Sequence, residues 1–308
     1  AAGIPEFANR IPGRGHAWYD CGFHRLCIYA SDSRNAVYFN QCPKALAPPT
    51  APITNAIHSV CKPPDTPWTD IPMAATKPTW VDLDKDGDLD LAICNKDGEC
   101  LYYERMNDGS LQRHEGDQNP FHGIEFGAMA SPAFVDWDED GDQDLVVGNA
   151  EGTLRYYQNT GGNNFVLSTG DADPFRGIDV GSNAVPTFAD WNKNGHMDLV
   201  IGNQEGKLHW YEKNTSTLFN WTRHHPNHFS RIDVGSNAAP TFFDWDNDTD
   251  LDLVVGNAQG ELLYYEWYLG MFTFTEGNPF VGINVGAQAA PTLFNHNGKV
   301  LVAVGSEF

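Results

Sequence analysis

Four acidic segments place side-chain oxygens at alternate positions. They carry Asp82, Asp84, Asp86, Asp88 and Asp90; Asp136, Asp138, Asp140, Asp142 and Asp144; Asp190, Asn192, Asn194, His196 and Asp198; and Asp244, Asp246, Asp248, Asp250 and Asp252. Numbered from the first Asp, positions 1, 3, 5 and 9 can turn oxygens toward one centre. Position 7 offers its main-chain carbonyl, so His196 needs no side-chain ligand, and Gly at position 6 permits a sharp bend. Such a shell suits a hard divalent cation, and its loose geometry favours Ca2+ over Mg2+, with up to four ions expected. An EF-hand begins alike but needs a bidentate Glu at position 12, where this chain has Ile93 and Val147. Ligand charge ranks the loops. The first two keep four carboxylates and the Gly, the fourth has Thr249 at the bend, and the third, with Asn192 and Asn194, is expected to bind weakest.

The first Asp falls at 82, 136, 190 and 244, a period of 54 residues. A fixed period of this length marks a repeat whose units bury their apolar faces by stacking on one another. In one unit, 132–136 enters the loop as a strand, 144–148 leaves it as a second, 149–152 turns, and 153–157 and 164–168 read as the third and fourth. Residues 174–181 then lead to the next unit. Pro78, Pro132, Pro186 and Pro240 open the units, and Gly98, Gly152, Gly206 and Gly260 hold the hairpin turns. The pairs Tyr102-Tyr103, Tyr156-Tyr157, Trp210-Tyr211 and Tyr264-Tyr265, with the closing Phe121, Phe175, Phe229 and Phe280, read as packing between units.

Four short antiparallel strands per unit predict an all-β propeller. Residues 77–131, 132–185, 186–239 and 240–290 are the full units, and 291–308 a partial one. Residues 1–76 read as a degenerate N-terminal blade with a Cys- and Pro-rich arm. Six four-stranded blades are expected, the first and last degenerate, with five as the alternative. The ring is expected to close by residues from the first dozen pairing beside the C-terminal strands.

Net charge is −22, from 19 basic and 41 acidic residues, which argues against nucleic acid or an anionic membrane as partner. No apolar run is long enough to span a bilayer. The start at Ala1 lacks Met and reads as an end left by cleavage. Six cysteines fall into the pairs Cys94–Cys100, Cys21–Cys27 and Cys42–Cys61, which predicts an oxidising, non-cytosolic compartment: secreted, extracellular or periplasmic, or alternatively a thylakoid lumen.

The loop DxDxDGxxD followed by an apolar strand, with unit starts such as Ala133-Phe134-Val135-Asp136, resembles the FG-GAP/VCBS repeat of integrin-type propellers. The segment from Pro279 to Gly286 is similar to the spacer of those repeats. The resemblance implies a calcium-binding β-propeller and, more loosely, non-catalytic recognition.

Other chemistry is sparse. His224, His225 and His228 cluster without a Cys or carboxylate at metal-ligand spacing, and read as a solvated segment. Asn214, Asn220 and Asn247 open glycosylation sequons. Trp137, Trp191 and Trp245 recur at loop position 2, where packing between blades competes with stacking on a sugar. No nucleophile elbow, zinc-protease, phosphate-loop or dinucleotide motif occurs, and catalysis is not expected. The expected role is a protein interaction or assembly module, an accessory subunit of a larger membrane or photosynthetic lumenal complex. The alternative is a carbohydrate-binding lectin or cell-surface adhesion protein.

Overall fold

The computed structural model describes residues 27–32, 36–39, 75–213, 221–223, 228–274, 278–296 and 299–306. Two strands come first, β1 (Cys27–Asp32) and β2 (Ala36–Phe39). The next four are β3 (Ala75–Val81), β4 (Asp90–Asn95), β5 (Cys100–Arg105) and β6 (Leu111–His114). They are followed by β7 (Ser131–Val135), β8 (Asp144–Gly148), β9 (Leu154–Asn159) and β10 (Phe165–Leu167). Then come β11 (Val185–Ala189), β12 (Asp198–Gly202), β13 (Leu208–Lys213) and β14 (Trp221–Arg223). The last meander is β15 (Ala239–Phe243), β16 (Asp252–Gly256), β17 (Leu262–Tyr268) and β18 (Met271–Phe274), and the chain ends on β19 (Ala290–His296) and β20 (Lys299–Gly305). Among the described residues there is no α-helix, only two 3-10 turns at Gly116–Gln118 and Gly170–Ala172.

Each of the four consecutive meanders is an antiparallel sheet in chain order, and β19-β20-β1-β2 makes a fifth. The described residues thus form five four-stranded sheets. Innermost strands meet in sequence: β3 beside β7, β7 beside β11, β11 beside β15, β15 beside β19, and β19 back beside β3. A closed ring of sheets around an axis is the propeller architecture.

Burial follows from that arrangement. Strands β8, β12 and β16 read Asp-Leu-Val-(Val or Ile)-Gly and are buried at every residue, because each sheet is covered on both faces by its neighbours. Five apolar clusters lie one between each adjacent pair of sheets. Leu91, Ile93 and Tyr103 against Phe294, Leu301 and Ala303 is the cluster that joins last to first. Phe121, Phe175, Phe229 and Phe280 are almost wholly buried in four of them. Close approach is allowed by Gly148, Gly202 and Gly256, where a methyl group would sit 2.0–2.1 Å from a carbonyl oxygen of the next blade.

The expectation of six blades is corrected. The N-terminal stretch is not a separate blade: β1 pairs antiparallel with β20, Tyr29 opposite Val302, so the two degenerate units are the outer and inner halves of one sheet. An open pair of strands at each terminus leaves unpaired backbone donors and acceptors, and joining them satisfies both while locking the ring. Residues 1–12, expected to close the ring, and most of the Cys/Pro-rich arm lie outside the described residues.

Candidate metal centres on one face of the ring

Each acidic loop follows the innermost strand of its blade, so all four open on one face. The loops are built by their own side chains. In the first, Asp84 accepts from the Asp86 amide at 3.1 Å, Asp86 accepts from the Asp88 amide at 2.8 Å, and Asp82 Oδ2 accepts from the Gly87 amide at 3.1 Å. The second and fourth loops repeat these bonds. Position 6 has positive φ throughout: 94° at Gly87, 90° at Gly141, 85° at Gly195 and 80° at Thr249. Position 4 is left-handed as well, with Lys85, Glu139, Lys193 and Asn247 at 58–62°. The sequence marks the first bend by its glycine and gives no sign of the second.

The structure divides the sequence-predicted ligands. Asp82, Asp84 and Asp86 bring one carboxylate oxygen each within 4.8 Å of one another, as do Asp136, Asp138 and Asp140, and Asp244, Asp246 and Asp248. The position-9 residues Asp90, Asp144, Asp198 and Asp252 are almost completely buried and lie outside these groups. Asp144 Oδ2 accepts from the Tyr156 hydroxyl at 2.8 Å and the Trp137 amide at 3.1 Å, while Oδ1 accepts from the Asn159 amide at 2.8 Å. Asp90 and Asp252 are held identically by Tyr102 and Tyr264 and the corresponding amides. Burial pushes Asp144 and Asp252 up to about 6 and Asp198 to about 7, against the lowering effect of these hydrogen bonds. The sequence reading assigns the first aromatic of each pair to packing and misses its polar end. The signal was present: the Tyr stands twelve residues after the Asp in three loops.

Position-7 side chains do other work. Asp142 pairs with Lys85 of the preceding loop, and Asp250 with Lys193 at 2.6 Å, so position 4 of one blade reaches position 7 of the next. His196 and Asp88 are half-buried at the same position.

One set of atoms tests whether these residues fit a cation. Asp82 Oδ1, Asp136 Oδ1 and Asp244 Oδ1 are buried and accept no hydrogen bond. A buried carboxylate oxygen without a donor is costly unless a positive charge faces it. Asp84 and Asp246 are pushed up, by burial first and with like charges of the same loop adding to it. Three loops therefore present the donor set of a hard cation. The third loop differs. Asp190 Oδ1 accepts from the Asn194 amide at 2.9 Å, and Asn192 Nδ2 donates to Asp198 at 2.8 Å, so hydrogen bonds take the place a cation would fill.

The remaining sequence candidates are placed as follows. Trp137 and Trp191 are 2% and 4% exposed, packed on Phe175 and Phe229, and Trp245 packs on Phe280. His228 lies against Trp191 and Trp210. His224, His225, Asn214 and Asn220 lie outside the described residues. Cys94 and Cys100 form a disulfide across their hairpin; the other two cysteine pairings lie outside the described residues.

Solved structures with a similar arrangement of strands include BBS1N in complex with ARL6DN, soaked with mercury: 16% identity, TM-score 0.36, covering 76% of this chain and 63% of that one. The chain thus spans less than two thirds of that relative. A lectin of Agrocybe aegerita, which recognises non-reducing terminal N-acetylglucosamine, is similar at 16% identity and TM-score 0.40, over 89% of this chain and 67% of its own. No curated protein sequence matches. The model of the FG-GAP-like repeat matches three times, at residues 82–147, 136–201 and 190–255, each match running from one acidic loop through the buried strand after the next. Overlapping matches across more than half of the chain, on the loops and strands just described, make this protein a member of the FG-GAP repeat family.

Proposed function

We propose that the chain is a calcium-stabilised, non-catalytic propeller that recognises a protein partner in an oxidising, non-cytosolic compartment. The observation that carries the calcium assignment is the orphaned oxygen at position 1 of three loops, each beside two further carboxylates. Asp82, Asp84 and Asp86, and their equivalents in the second and fourth loops, would hold the ions, with the position-7 carbonyl completing the shell. The third loop, already bonded to itself, would bind weakly. A cation there neutralises clustered negative charge and so favours the folded ring.

Partner recognition is supported by an apolar hairpin at the outer edge of the fourth blade. Tyr268, Leu269, Met271 and Phe274 are 50–83% exposed on adjacent positions, the kind of patch that marks a contact surface. The chemistry-bearing acids, by contrast, are committed to the loops or to Tyr hydroxyls. The Cys94–Cys100 disulfide supports the compartment. A lectin role keeps one favourable observation: Trp191, Trp267 and exposed His228 form an aromatic cluster between the third and fourth blades, with centroids 5.0–6.0 Å apart.

Calorimetric titration with Ca2+ tests the first part, with about three tight sites expected and unfolding moved to lower temperature by chelation; no binding would end the reading. For the partner, Leu269→Asp with Met271→Asp should abolish capture of a stoichiometric protein from native extract while leaving the calcium response intact. A glycan-array signal lost in Trp267→Ala would favour the lectin instead.

A further inference from the structure

The hairpin of β17 and β18 closes on two residues, Leu269 and Gly270, with φ of 50° and 84°. Two left-handed residues make a type I′ turn, which favours Asn-Gly over a leucine, yet Leu269 stands there 83% exposed. Tyr268 lies opposite Met271, and in a two-residue hairpin the residues flanking the turn form a hydrogen-bonded pair. Pairs alternate from there. Met271 and Thr273 turn their main-chain groups toward β17, while Phe272 and Phe274 turn theirs outward. β18 is the last strand of its sheet, with no strand beyond it among the described residues.

An outermost strand with free main-chain groups is usually guarded by charge or proline. β6 and β14 follow that rule with Arg113 and Arg223. β18 reads Met271-Phe-Thr-Phe274 and has neither, and no residue from Trp267 to Thr275 is charged. Met271 and Phe274 are 50% and 54% exposed and belong to opposite faces of the strand. The charge around this edge has one sign. Between Arg231 and His296 the chain has nine acidic residues and no Lys, Arg or His. Lys207 and Lys193 of the third blade pair with Asp233 and Asp250. Glu266, directly opposite Thr273, has no ion-pair partner among the described residues.

We propose that the open edge of β18 takes up an extended basic segment of the protein partner as a fifth strand, paired to the main chain of Phe272 and Phe274. This rests on the reading of the hairpin as a partner surface and adds the mode and the chemistry of the partner. Strand addition supplies main-chain hydrogen bonds, and Met271 and Phe274 give an apolar contact on each face. The added strand lies about 10 Å from β17, within reach of Glu266 for a long cationic side chain on the Thr273 face. A second copy of this chain does not fit that edge, because it brings the same acidic blade and each copy carries a net charge of −22. The segment that fits is extended, alternates apolar with Lys or Arg residues, and contains no acid.

The probe is the capped peptide Lys-Val-Lys-Val-Lys-Val-Lys, titrated into the whole chain with calcium present. It is compared with the same peptide N-methylated at its three central residues, which blocks both of its edges, and with a version carrying Glu for Lys. Saturable binding is expected, weakened about tenfold or more by N-methylation as main-chain bonds are lost, and absent for the Glu version. In amide exchange resolved by NMR, the Phe272 and Phe274 amides should slow at least about tenfold at saturation, while those of Met271 and Thr273, already turned to β17, change little. Thr273→Lys sets a guard charge on the edge and should lose the peptide. Val166→Lys, the same charge change on the outer strand of the second blade, should keep it. No binding of the Lys peptide, equal binding of its N-methylated form, or unchanged Phe272 and Phe274 amides would overturn strand addition. If a native partner is lost by the paired Asp substitutions at Leu269 and Met271 yet kept by Thr273→Lys, the hairpin remains a partner surface and strand addition alone falls. No native partner and no peptide binding would remove both readings.

Discussion

Positions 1 and 9 of each acidic loop are both aspartate, yet their surroundings set them different tasks. Asp136 keeps one oxygen free of donors beside Asp138 and Asp140, whereas Asp144 spends both oxygens on Tyr156, Trp137 and Asn159. Asp136→Asn should therefore leave the chelated protein as stable as wild type and remove one calcium-dependent increment. Asp144→Asn should lower stability with or without calcium, by about 2–4 kcal/mol, since an amide nitrogen would face a buried donor. Chemical denaturation with calcium and with chelator separates the two; an equal loss for Asp136→Asn under chelation would contradict the division. Thr249 supplies a second residue-scale prediction. Its φ of 80° is unfavourable for a β-branched side chain, and the bond it accepts from Lys193 is exposed. Thr249→Gly should stabilise by about 1 kcal/mol, read as a raised Tm in the chelated protein. Ligand types at alternate positions were legible in the sequence because each loop closes locally. The split between positions 5 and 9 was not, because it depends on a Tyr delivered by the strand after next.

At the scale of the element, the blades are held by what passes between them. The side chain fifteen residues after the position-9 Asp reaches the preceding blade in three cases. Arg105 lies over Trp80 of its own blade and Phe294 of the fifth, at 5.6 and 5.0 Å. Lys213 lies 4.3 Å over Trp137, and Trp267 packs on Trp191 at 5.0 Å. Beneath these contacts, Gly202 brings β12 against the Ala238 carbonyl, with Pro240 alongside. Gly202→Ala would place a methyl 2.0 Å from that oxygen, where only backbone movement gives relief. A loss of at least about 2 kcal/mol in equilibrium unfolding is expected, against less than about 1 for Gly177→Ala, whose Cβ meets nothing within 4 Å although its φ of 85° adds strain. Four meanders were readable from a 54-residue period because every blade repeats one local solution. Blade number was not, because β1 and β20 are joined across nearly the whole chain and no local pattern distinguishes two half-blades from two whole ones.

Across the whole molecule the two faces of the ring carry opposite electrostatic problems, excess negative charge at the loops and an amine at the axis. The amine gives stability a pH dependence whose sign is fixed. Lys77 sits at about 7 in the folded ring against 10.5 for an exposed lysine. Between those values the unfolded chain binds the proton and the folded one does not, so this group adds stability as pH rises through the window. Below about 7 both states are protonated and its full cost persists. Replacing it with Met removes the titration, so Lys77→Met should exceed wild type in stability most at pH 6–7. The advantage should shrink toward pH 10, by a few kcal/mol at most once relaxation of the site is allowed for. Urea unfolding of both proteins at pH 6.5, 8 and 9.5, at fixed calcium and ionic strength, measures the difference directly. A constant gap would mean that Lys77 keeps its charge in the folded ring at every pH, which requires an acceptor at the axis beyond the Pro186 carbonyl.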